Sequence, residues 1–411
     1  MGIIHNFVER FASRYDAGDL SVKEDIIKFA AGKLLNADPS IQEFSTHQQL
    51  ACLSQRLPIE FNSTTWITQQ DEKKQVEGHL RVCLKIDQNF ESMVTVTPSE
   101  PLLSEGAYFI MQRPSFNAPE AMKSVLDGFS IHKGDRGELL ALLLLILARD
   151  NAIGPADQNG RPLGHRYFDL ASFICGKLFV ESLPITHSDS DSISALECIK
   201  TDFPMAKAHF SHFIKLHEHK VVNKECLLVM ASRGAAALCP NNHVGIDAVT
   251  PFLRSGIILS LENMGVILYQ FKNDPDYNDK AKPHLFDNMD CFEVGILKPG
   301  EQPIPVIRII LALAARTPKL IVTRHPPSAD YNAVIYDIWC AGLAPEILCP
   351  INGMQAGLWD SLLRASHDWK MIYKTDLESQ LLRRTMNPMT ACDTSHWCRF
   401  YDLTDRECMC K

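Results

Sequence analysis

An uninterrupted apolar run over residues 139–148 is the feature that most constrains the fold of this chain. It is about half of the ~20 residues that a membrane-spanning helix needs, and it is too apolar for an exposed helix. The string Gly134-Asp135-Arg136-Gly137-Glu138 precedes it, with Gly137 ending a turn and Glu138 suited to the first turn of a helix. The sequence therefore predicts a buried helix in the first domain and no transmembrane segment.

The composition is that of a folded, soluble protein long enough for two or three domains. The 411 residues are 46% hydrophobic and 22% charged, which excludes disorder as the dominant state. Lys and Arg number 41 against 49 Asp and Glu, so the net charge of −8 excludes a chain that coats nucleic acid by overall charge. The N-terminus lacks the apolar core of a signal peptide, so we expect an intracellular protein of the nucleus or cytoplasm, with its 13 cysteines reduced.

A polar, low-complexity stretch within residues 182–204 predicts the main domain boundary. Its centre is Ser188-Asp189-Ser190-Asp191-Ser192, which is typical of a linker. We expect an α+β or α/β protein with a mainly helical N-terminal region over residues 1–181, a second domain over 205–345, and a helical C-terminal segment with a Cys-rich tail over 346–411.

The hydrophobic period changes in the second domain. Residues 224–238 have apolar side chains at helical spacing and predict one helix. Residues 244–249 alternate like a strand, which Pro251 is expected to interrupt. Residues 265–272 are strongly β-prone and stop at Asn273-Asp274-Pro275. The predicted local order is helix, strand, loop, strand.

Three polar side chains in these strands predict a metal-dependent hydrolytic site. Gln270 and Lys272 are two residues apart, so they leave the same face of the strand near its accessible end. Asp247 is a lone acid in the preceding strand, and its carboxylate can reach the same pocket if the two strands are neighbours. Mg²⁺ prefers oxygen ligands, so Asp247 and the Gln270 oxygen could share one ion, while Lys272 orients the attacking water or stabilises charge on a phosphodiester.

The pattern Asp247…Gln270-Phe271-Lys272 resembles the motif of the restriction-endonuclease-like PD-(D/E)XK nucleases. It is most similar to the variant of Crinkler-type and mobile-element-associated nucleases, in which Gln replaces Glu. The wider chain resembles a group of uncharacterised fungal, basidiomycete-type proteins in residues 49–58, 134–139 and 336–342. The resemblance implies an α-β-β-β-α-β core, a divalent cation such as Mg²⁺ or Mn²⁺, and cleavage of DNA. It also implies a further acidic ligand from an upstream helix, a role that we assign to Glu225.

Basic residues gather before these strands. Residues 205–234 carry five Lys or Arg against two Glu, which places a positive face in the second half of the chain. We expect Arg233, Lys224 and Lys220 to contact the DNA backbone, because cationic side chains hold phosphates. Four histidines in this stretch match no zinc motif and favour a pH-sensitive face near phosphate; they are His209, His212, His217 and His219.

Several alternatives stay open at this point. Asp247 can instead cap a turn while Gln270 and Lys272 solvate a strand end. A degenerate nuclease core can serve as a nucleic-acid-binding module, or the chain can be an interaction protein that binds a protein partner or a second copy of itself. The tail residues could close on one zinc ion, although their spacing is unusual; they are Cys392, His396, Cys398, Cys408 and Cys410.

Motifs of other enzyme classes are absent from the sequence. There is neither a G-x4-G-K-[ST] nor a G-x-G-x2-G string, which argues against a nucleotide cofactor. There is no G-x-S-x-G elbow, so a serine hydrolase of the common kind has no support.

Overall fold

A computed structural model describes residues 21–61, 66–88, 93–128, 133–153, 167–184, 186–241 and 243–364. Contacts divide the chain into two compact units, Met1–Leu363 and Arg364–Lys411. The helices and strands given below belong to the described residues. The Cys-rich tail, with its predicted zinc ligands, lies outside the described residues. Among the helices of the described part, none is long and apolar enough to cross a membrane.

The first part of the chain is mainly helical, as the sequence predicts. A two-stranded antiparallel ribbon interrupts the helices between α3 and α4. The helix Thr46–Arg56 begins with a capping box. The Ser45 hydroxyl accepts the backbone N–H of Gln48, and the Gln48 side chain accepts the backbone N–H of Ser45. The helices are α1 Val22–Leu35, α2 Thr46–Arg56, α3 Trp66–Gly78, α4 Pro101–Met111, α5 Ala118–Gly128, α6 Lys133–Ile153 and α7 Leu170–Ile174, and the ribbon is β1 Val82–Ile86 with β2 Met93–Val96.

The apolar run of residues 139–148 forms the middle of α6, so the predicted buried helix is confirmed. The side chains of residues 140–146 are all fully buried. A helix that is apolar on every side has to be surrounded by other elements. In this protein α6 contacts strand β8, defined below, on one side and α7 on another.

A nine-stranded mixed sheet forms the second layer. Its spine has the order β10-β11-β9-β8-β7, in which β8, β9 and β11 are parallel to one another. Beyond β7 the sheet forks: β6 and β5 continue from its start, and β4 and β3 continue from its end. The strands are β3 Phe168–Asp169, β4 Lys207–Ala208, β5 His212–Lys215, β6 Ala235–Leu238, β7 Ala248–Leu253, β8 Met264–Lys272, β9 Val306–Ala312, β10 Lys319–His325 and β11 Ile335–Ala341.

Both faces of this sheet are buried. Along β8, Ile267, Tyr269 and Phe271 belong to the larger core, which the N-terminal helices share. Val266 and Leu268 point into a smaller core built with α9 and the residues after β8. The remaining helices are α8 Ser190–Asp202, α9 Lys224–Ser232, α10 Pro283–Asp287 and α11 Ala356–Arg364. The protein is thus a mixed α and β fold, in agreement with the coarse class that the sequence predicts.

The stretch predicted as a linker is part of this fold. Its Ser-Asp run begins α8, where the Asp189 side chain accepts the backbone N–H of Ser192 at 2.7 Å and caps the helix. Ser188 and Ser192 are buried. The larger core extends from the first helices to β11, so the two predicted regions before residue 346 pack as one compact unit.

Two local predictions in the second half are wrong. The helix predicted over residues 224–238 ends at Ser232, and Ala235–Leu238 form β6. Gly234 causes the change, because its φ of +62° reverses the chain and its small neighbours fit a fully buried strand. Pro251 does not interrupt β7. On one edge, β6 pairs with the residues before Pro251 and β4 with the residues after it, so no strand lies opposite Pro251 there. Only β8, on the other edge, pairs with Pro251.

Candidate functional site

Asp247 lies immediately before β7, opposite the end of β8. Its backbone N–H donates to the Tyr269 carbonyl at 2.8 Å, and its carboxylate accepts the backbone N–H of Phe271 at 2.5 Å. The side chain therefore takes the place of a backbone acceptor at the end of the ladder between the two strands. The two strands are antiparallel neighbours, which is the condition under which the sequence places Asp247 near Gln270, and this pairing holds the acid against the Gln270–Phe271 peptide.

Gln270 is buried, whereas the sequence places it at the accessible end of the strand. Only 7% of the residue is exposed, because β8 is an inner strand between β7 and β9 and the two cores cover its faces. Its Oε1 atom has no hydrogen-bond partner among the described residues. A buried carboxamide oxygen without a donor carries a free-energy cost, which a cation or a water molecule at this position would remove.

Lys272 is the last residue of β8 and is partly exposed. Its Nζ atom lies 5.6 Å from the centre of the Tyr277 ring, which keeps the ammonium near the end of the sheet. Burial raises the pKa of the Asp247 carboxyl, and the positive charge of Lys272 opposes part of that rise. The acid and the amine of the predicted motif are therefore within electrostatic range of each other.

Glu138 is an acidic member of this site that the sequence analysis did not assign. It belongs to the first turns of α6, and the neighbouring Gly137 packs so closely that an added Cβ would lie 2.7 Å from the Cβ of Asn273. Since Asn273 follows Lys272, this contact brings α6 to the end of β8. The string Gly134-Asp135-Arg136-Gly137-Glu138 could have signalled the residue, because it places an acid at the start of the apolar helix.

The pKa values of the two acids reflect their surroundings. Burial, followed by the charges of Asp247, Asp135 and Glu60, raises the pKa of Glu138 to about 7, and only Lys215 opposes this rise. Burial also raises the pKa of Asp247, against the Phe271 hydrogen bond and the Lys272 charge. Carboxyl groups with raised pKa values in one place are a common feature of functional sites.

Glu225, to which the sequence assigns the helical acid, has a different neighbour. It is exposed in the first turn of α9, and its carboxylate accepts a hydrogen bond from Lys298 at 3.1 Å. The pKa of Glu225 is lowered by its own backbone N–H and by Lys298. None of the electrostatic partners of Asp247 or Glu138 is Glu225.

The predicted DNA-contacting residues have different neighbours in the fold. Arg233 follows α9, is exposed, and donates to the Ser99 carbonyl. Lys224 begins α9. Glu262, in the loop between β7 and β8, has its pKa lowered by its own backbone N–H and by Ser260, and less by the charge of Lys224. Lys220 is exposed in a short 3₁₀ helix, His219–Val221.

The four histidines do not form one basic face. His212 is buried, and burial together with the nearby Arg56 and Arg233 lowers its pKa to about 3, so it is neutral. The ring of His209 packs against Tyr167 at 5.0 Å, and that of His219 lies 5.2 Å from His243. Only His217 and His219 are exposed. The predicted pH-sensitive face is therefore divided between the core and the surface.

Three side chains near this strand end carry oxygen atoms of the kind that a hard cation prefers, namely Asp247, Gln270 and Glu138. Asp247 interacts electrostatically with Glu138, and Gln270 lies on the strand paired with β7. No cluster of three or more His, Cys, Asp or Glu side chains in the described ranges has the arrangement of a metal site. The candidate set therefore has two carboxylates and depends on Gln270 for its third oxygen.

Comparisons of this chain with protein-family models, with curated proteins and with solved structures found no match.

Proposed function

We propose that the protein hydrolyses phosphodiester bonds of DNA with a divalent cation held by Asp247, Glu138 and the Gln270 oxygen. One observation carries this proposal: Glu138 from α6 and Asp247 at β7 are close enough for the charge of one to raise the pKa of the other, beside the ammonium of Lys272. Two carboxyl groups, a carboxamide and an amine at one sheet end are the donor set of metal-dependent phosphodiester hydrolysis.

Each side chain has a role that follows from its surroundings. Asp247 is fixed by the Phe271 N–H, which holds one of its oxygens and leaves the other for a ligand. Glu138 keeps its proton up to about pH 7. It would release this proton when a cation binds and offsets the repulsion from the neighbouring carboxylates. Lys272 supplies positive charge for the phosphate oxygens as negative charge develops on them. A bound Mg²⁺ or Mn²⁺ would polarise the phosphate and lower the pKa of a water ligand.

The order of elements around the site supports the proposal. The chain runs α9, β6, β7, β8, α10, β9, with β6, β7 and β8 antiparallel and β9 parallel to β8. The resemblance to PD-(D/E)XK nucleases implies a helix-strand-strand-strand-helix-strand order, and this local order is compatible with it. In that order the Asp and the Gln-x-Lys string lie at adjacent strand ends, as Asp247 and Gln270 do here.

A matched set of variants tests the activity and identifies the helical acid. Purified protein is incubated with supercoiled plasmid and with single-stranded circular DNA, in Mg²⁺, Mn²⁺ or EDTA. We expect metal-dependent cleavage that Asp247→Asn, Lys272→Met and Glu138→Gln each reduce by roughly a hundredfold or more, while Glu225→Gln keeps it.

Equal cleavage by all of these proteins would indicate contamination and end the assignment. Loss in Glu225→Gln with activity kept in Glu138→Gln would return the ligand role to Glu225. An inert parent protein would leave the nuclease core as a binding module.

An exposed apolar ribbon favours a protein-binding role as the second candidate. On β1 and β2, Leu84 is 62% exposed, and Val82, Ile86 and Val94 are also exposed. Several aliphatic side chains on one small two-stranded ribbon are unusual for a surface that contacts only water. A protein partner at this ribbon is compatible with an inactive core. Absence of cleavage by the parent protein in the DNA assay above would therefore favour this second candidate.

A further inference from the structure

Ser99, Ser211 and His212 form a chain of hydrogen bonds beside β5. The Ser99 hydroxyl lies 2.8 Å from Nε2 of His212, and the Ser211 hydroxyl lies 3.0 Å from Nδ1 of the same ring. His212 and Ser211 are buried, whereas Ser99 is partly exposed. Ser99 and His212 line a cleft of about 310 Å³, so a ligand in the cleft can reach this chain. A hydroxyl bonded to an imidazole that a third group orients is the arrangement of an activated nucleophile.

The hydrogen bonds determine which nitrogen of His212 carries the proton. The Ser211 hydroxyl has one hydrogen, which it donates to the Gly234 carbonyl at 3.3 Å. Its oxygen therefore accepts the hydrogen of Nδ1, so Nε2 has a free lone pair that accepts the Ser99 hydroxyl. Ser211 thus occupies the place that a carboxylate has in a Ser-His-Asp triad.

Contacts from distant parts of the chain hold these three side chains in place. Arg56 Nε donates to the Ser211 carbonyl at 3.0 Å, and a buried ion pair fixes the same guanidinium. Ser99 and His212 are 113 residues apart, so only the fold brings them together. Ser99 lies in the string Pro98-Ser99-Glu100-Pro101, which is not a G-x-S-x-G elbow. A pair of nucleophile and base is recognised by its geometry and not by its position in the sequence.

Arg233 supplies positive charge next to Ser99. Its guanidinium donates to the Ser99 carbonyl, so a substrate oxygen that gains negative charge beside Ser99 would lie near a cation. The adjacent Glu100 uses its carboxylate to cap α4, where it accepts the backbone N–H of Leu102 at 3.4 Å. Of these two charged groups, only Arg233 can donate a hydrogen bond to the substrate oxygen.

The cleft itself suits a small, uncharged group. The charged side chains that line it are paired within the protein: Lys215 lies 2.6 Å from Glu60, and Arg81 donates to the hydroxyls of Thr95 and Thr97. Apolar side chains form much of the remaining wall, and they include Leu57, Ile59, Val96, Phe213 and Ile214. The volume is near the lower limit of ligand pockets, which span roughly 300–1,000 Å³, so a short acyl group or one aromatic ring fits better than a long chain.

The imidazole of His212 is neutral and weakly basic. Burial lowers the pKa of His212 to about 3, and nearby basic groups act in the same direction. These groups are Arg56, Arg233, Arg149 and His209. The ring is therefore unprotonated at neutral pH and can take a proton, but it takes one weakly. The reaction that it can assist is one in which the substrate is already reactive and its leaving group departs as a stable anion.

We infer that Ser99 is a nucleophile that accepts the acyl group of an activated ester, such as an aryl ester or a thioester, with His212 as its base. This activity goes beyond the proposed DNA cleavage and needs no metal. The Ser99 oxygen bonds to the carbonyl carbon, its proton passes to Nε2 of His212, and the bond to the phenolate or thiolate breaks. The ring then gives that proton to the departing anion or to solvent. Water attacks the acyl-serine and gives one proton to Nε2, the carboxylic acid leaves, and Ser99 recovers its hydrogen from the ring.

Hydrolysis of p-nitrophenyl acetate in EDTA tests this inference without any contribution from metal. We expect nitrophenolate release at least about a hundredfold faster than with the same protein unfolded in urea. Phenylmethylsulfonyl fluoride, which loses fluoride when a serine oxygen bonds to its sulfur, should stop the reaction and modify Ser99, as located by peptide mass spectrometry. Ser99→Ala and His212→Gln should each lower the rate about tenfold or more. Ser232→Ala, which changes an exposed serine of α9, is the control and should keep the parent rate.

Ser211 is a positioning residue, and its role has a separate readout. Nitrogen NMR of the His212 ring should show the proton on Nδ1 in the parent protein, and Ser211→Ala should shift it toward Nε2. If Ser99→Ala fails to fold by circular dichroism, the labelled site of the parent protein stays decisive, because it needs no variant.

Four results would overturn the inference: nitrophenolate release no faster than with unfolded protein, a sulfonyl label that avoids Ser99, the full rate in folded Ser99→Ala, or a parent His212 ring with its proton on Nε2. The DNA assay needs Mg²⁺ or Mn²⁺ and this assay excludes both, so either proposal can fail while the other stands.

Discussion

The carboxyl groups of Glu138 and Asp247 interact electrostatically, although one belongs to the first turns of α6 and the other precedes β7. Each is largely removed from water, and the charge of Asp247 adds to the burial that raises the pKa of Glu138 to about 7. The two acids therefore repel each other when both are ionised. The fold tolerates this repulsion at one end of its sheet.

The metal-free protein should lose stability as the pH rises from about 4.5 to about 7. Glu138 has a folded pKa of about 7 against an ordinary value of 4.5, so the folded state binds more protons than the unfolded state in this interval. The free energy of unfolding then falls with increasing pH, by at most about 3 kcal/mol. Urea unfolding in EDTA at several pH values measures the slope. Glu138→Gln should flatten it, and an unchanged slope would contradict the shifted pKa.

Binding of Mg²⁺ should release a proton near pH 6. The cation binds the ionised form of Glu138, which is mostly protonated at this pH. Titration calorimetry in two buffers with different heats of ionisation gives the number of protons released. We expect a clear decrease in Glu138→Gln and no change in Glu225→Gln, whose carboxylate pairs with Lys298. Equal release by both variants would place the proton elsewhere.

Replacement of Gln270 by Glu should tighten metal binding and destabilise the metal-free protein. The variant adds a negative charge at a buried position on the strand that pairs with β7, and Mg²⁺ affinity increases with ligand charge. We expect the Kd to fall about tenfold and the unfolding free energy without metal to fall by roughly 2 kcal/mol. Gln270→Leu should weaken metal binding instead. If Gln270→Leu keeps the parent affinity, the Gln270 oxygen is not a ligand.

Gly137→Ala should disturb the site through the contact between α6 and β8. The new Cβ would lie 2.7 Å from the Cβ of Asn273, so the first turn of α6 has to move away from β8. We expect a loss of about 1–3 kcal/mol in stability and a Glu138 pKa closer to its ordinary value, measured by carboxyl NMR. Gly357→Ala in α11 meets no atom within 4 Å and is the control. It should be neutral or slightly stabilising, since Ala favours helix over Gly.

The buried pair of Arg56 and Asp150 should be essential to stability. Both side chains are fully buried, and the guanidinium donates to the two carboxylate oxygens at 2.6 Å each. Asp150→Asn leaves the guanidinium of Arg56 without a carboxylate in the core, so chemical denaturation should show a loss of about 3–5 kcal/mol. Arg56→Met should cost less, because Asp150 keeps its ion pair with Arg149 at 3.1 Å. The double variant should lose less than the sum. Glu24→Gln, which removes the exposed pair with Lys28, should change stability by less than about 0.5 kcal/mol.

The elements that the sequence predicts correctly are those whose pattern is local. The continuous apolar run fixes α6, and the β-branched and aromatic residues before Lys272 fix β8, because each segment favours one conformation and has to be buried. The prediction of a helix over residues 224–238 failed at Gly234. The helical spacing of apolar residues continues into the alanines of β6, and only the conformation of this glycine ends the helix.

Within the candidate site, the sequence by itself determined that Asp247 lies next to the end of the Gln270–Lys272 strand, because two strands joined by a hairpin place their ends together. Tertiary structure alone decided that the helical acid beside Asp247 is Glu138, and that Gln270 is buried rather than accessible. The physical reason is chain separation. Which helix packs against a sheet depends on the fit of side chains across the whole core, here Gly137 against Asn273, and no spacing along the chain records that fit.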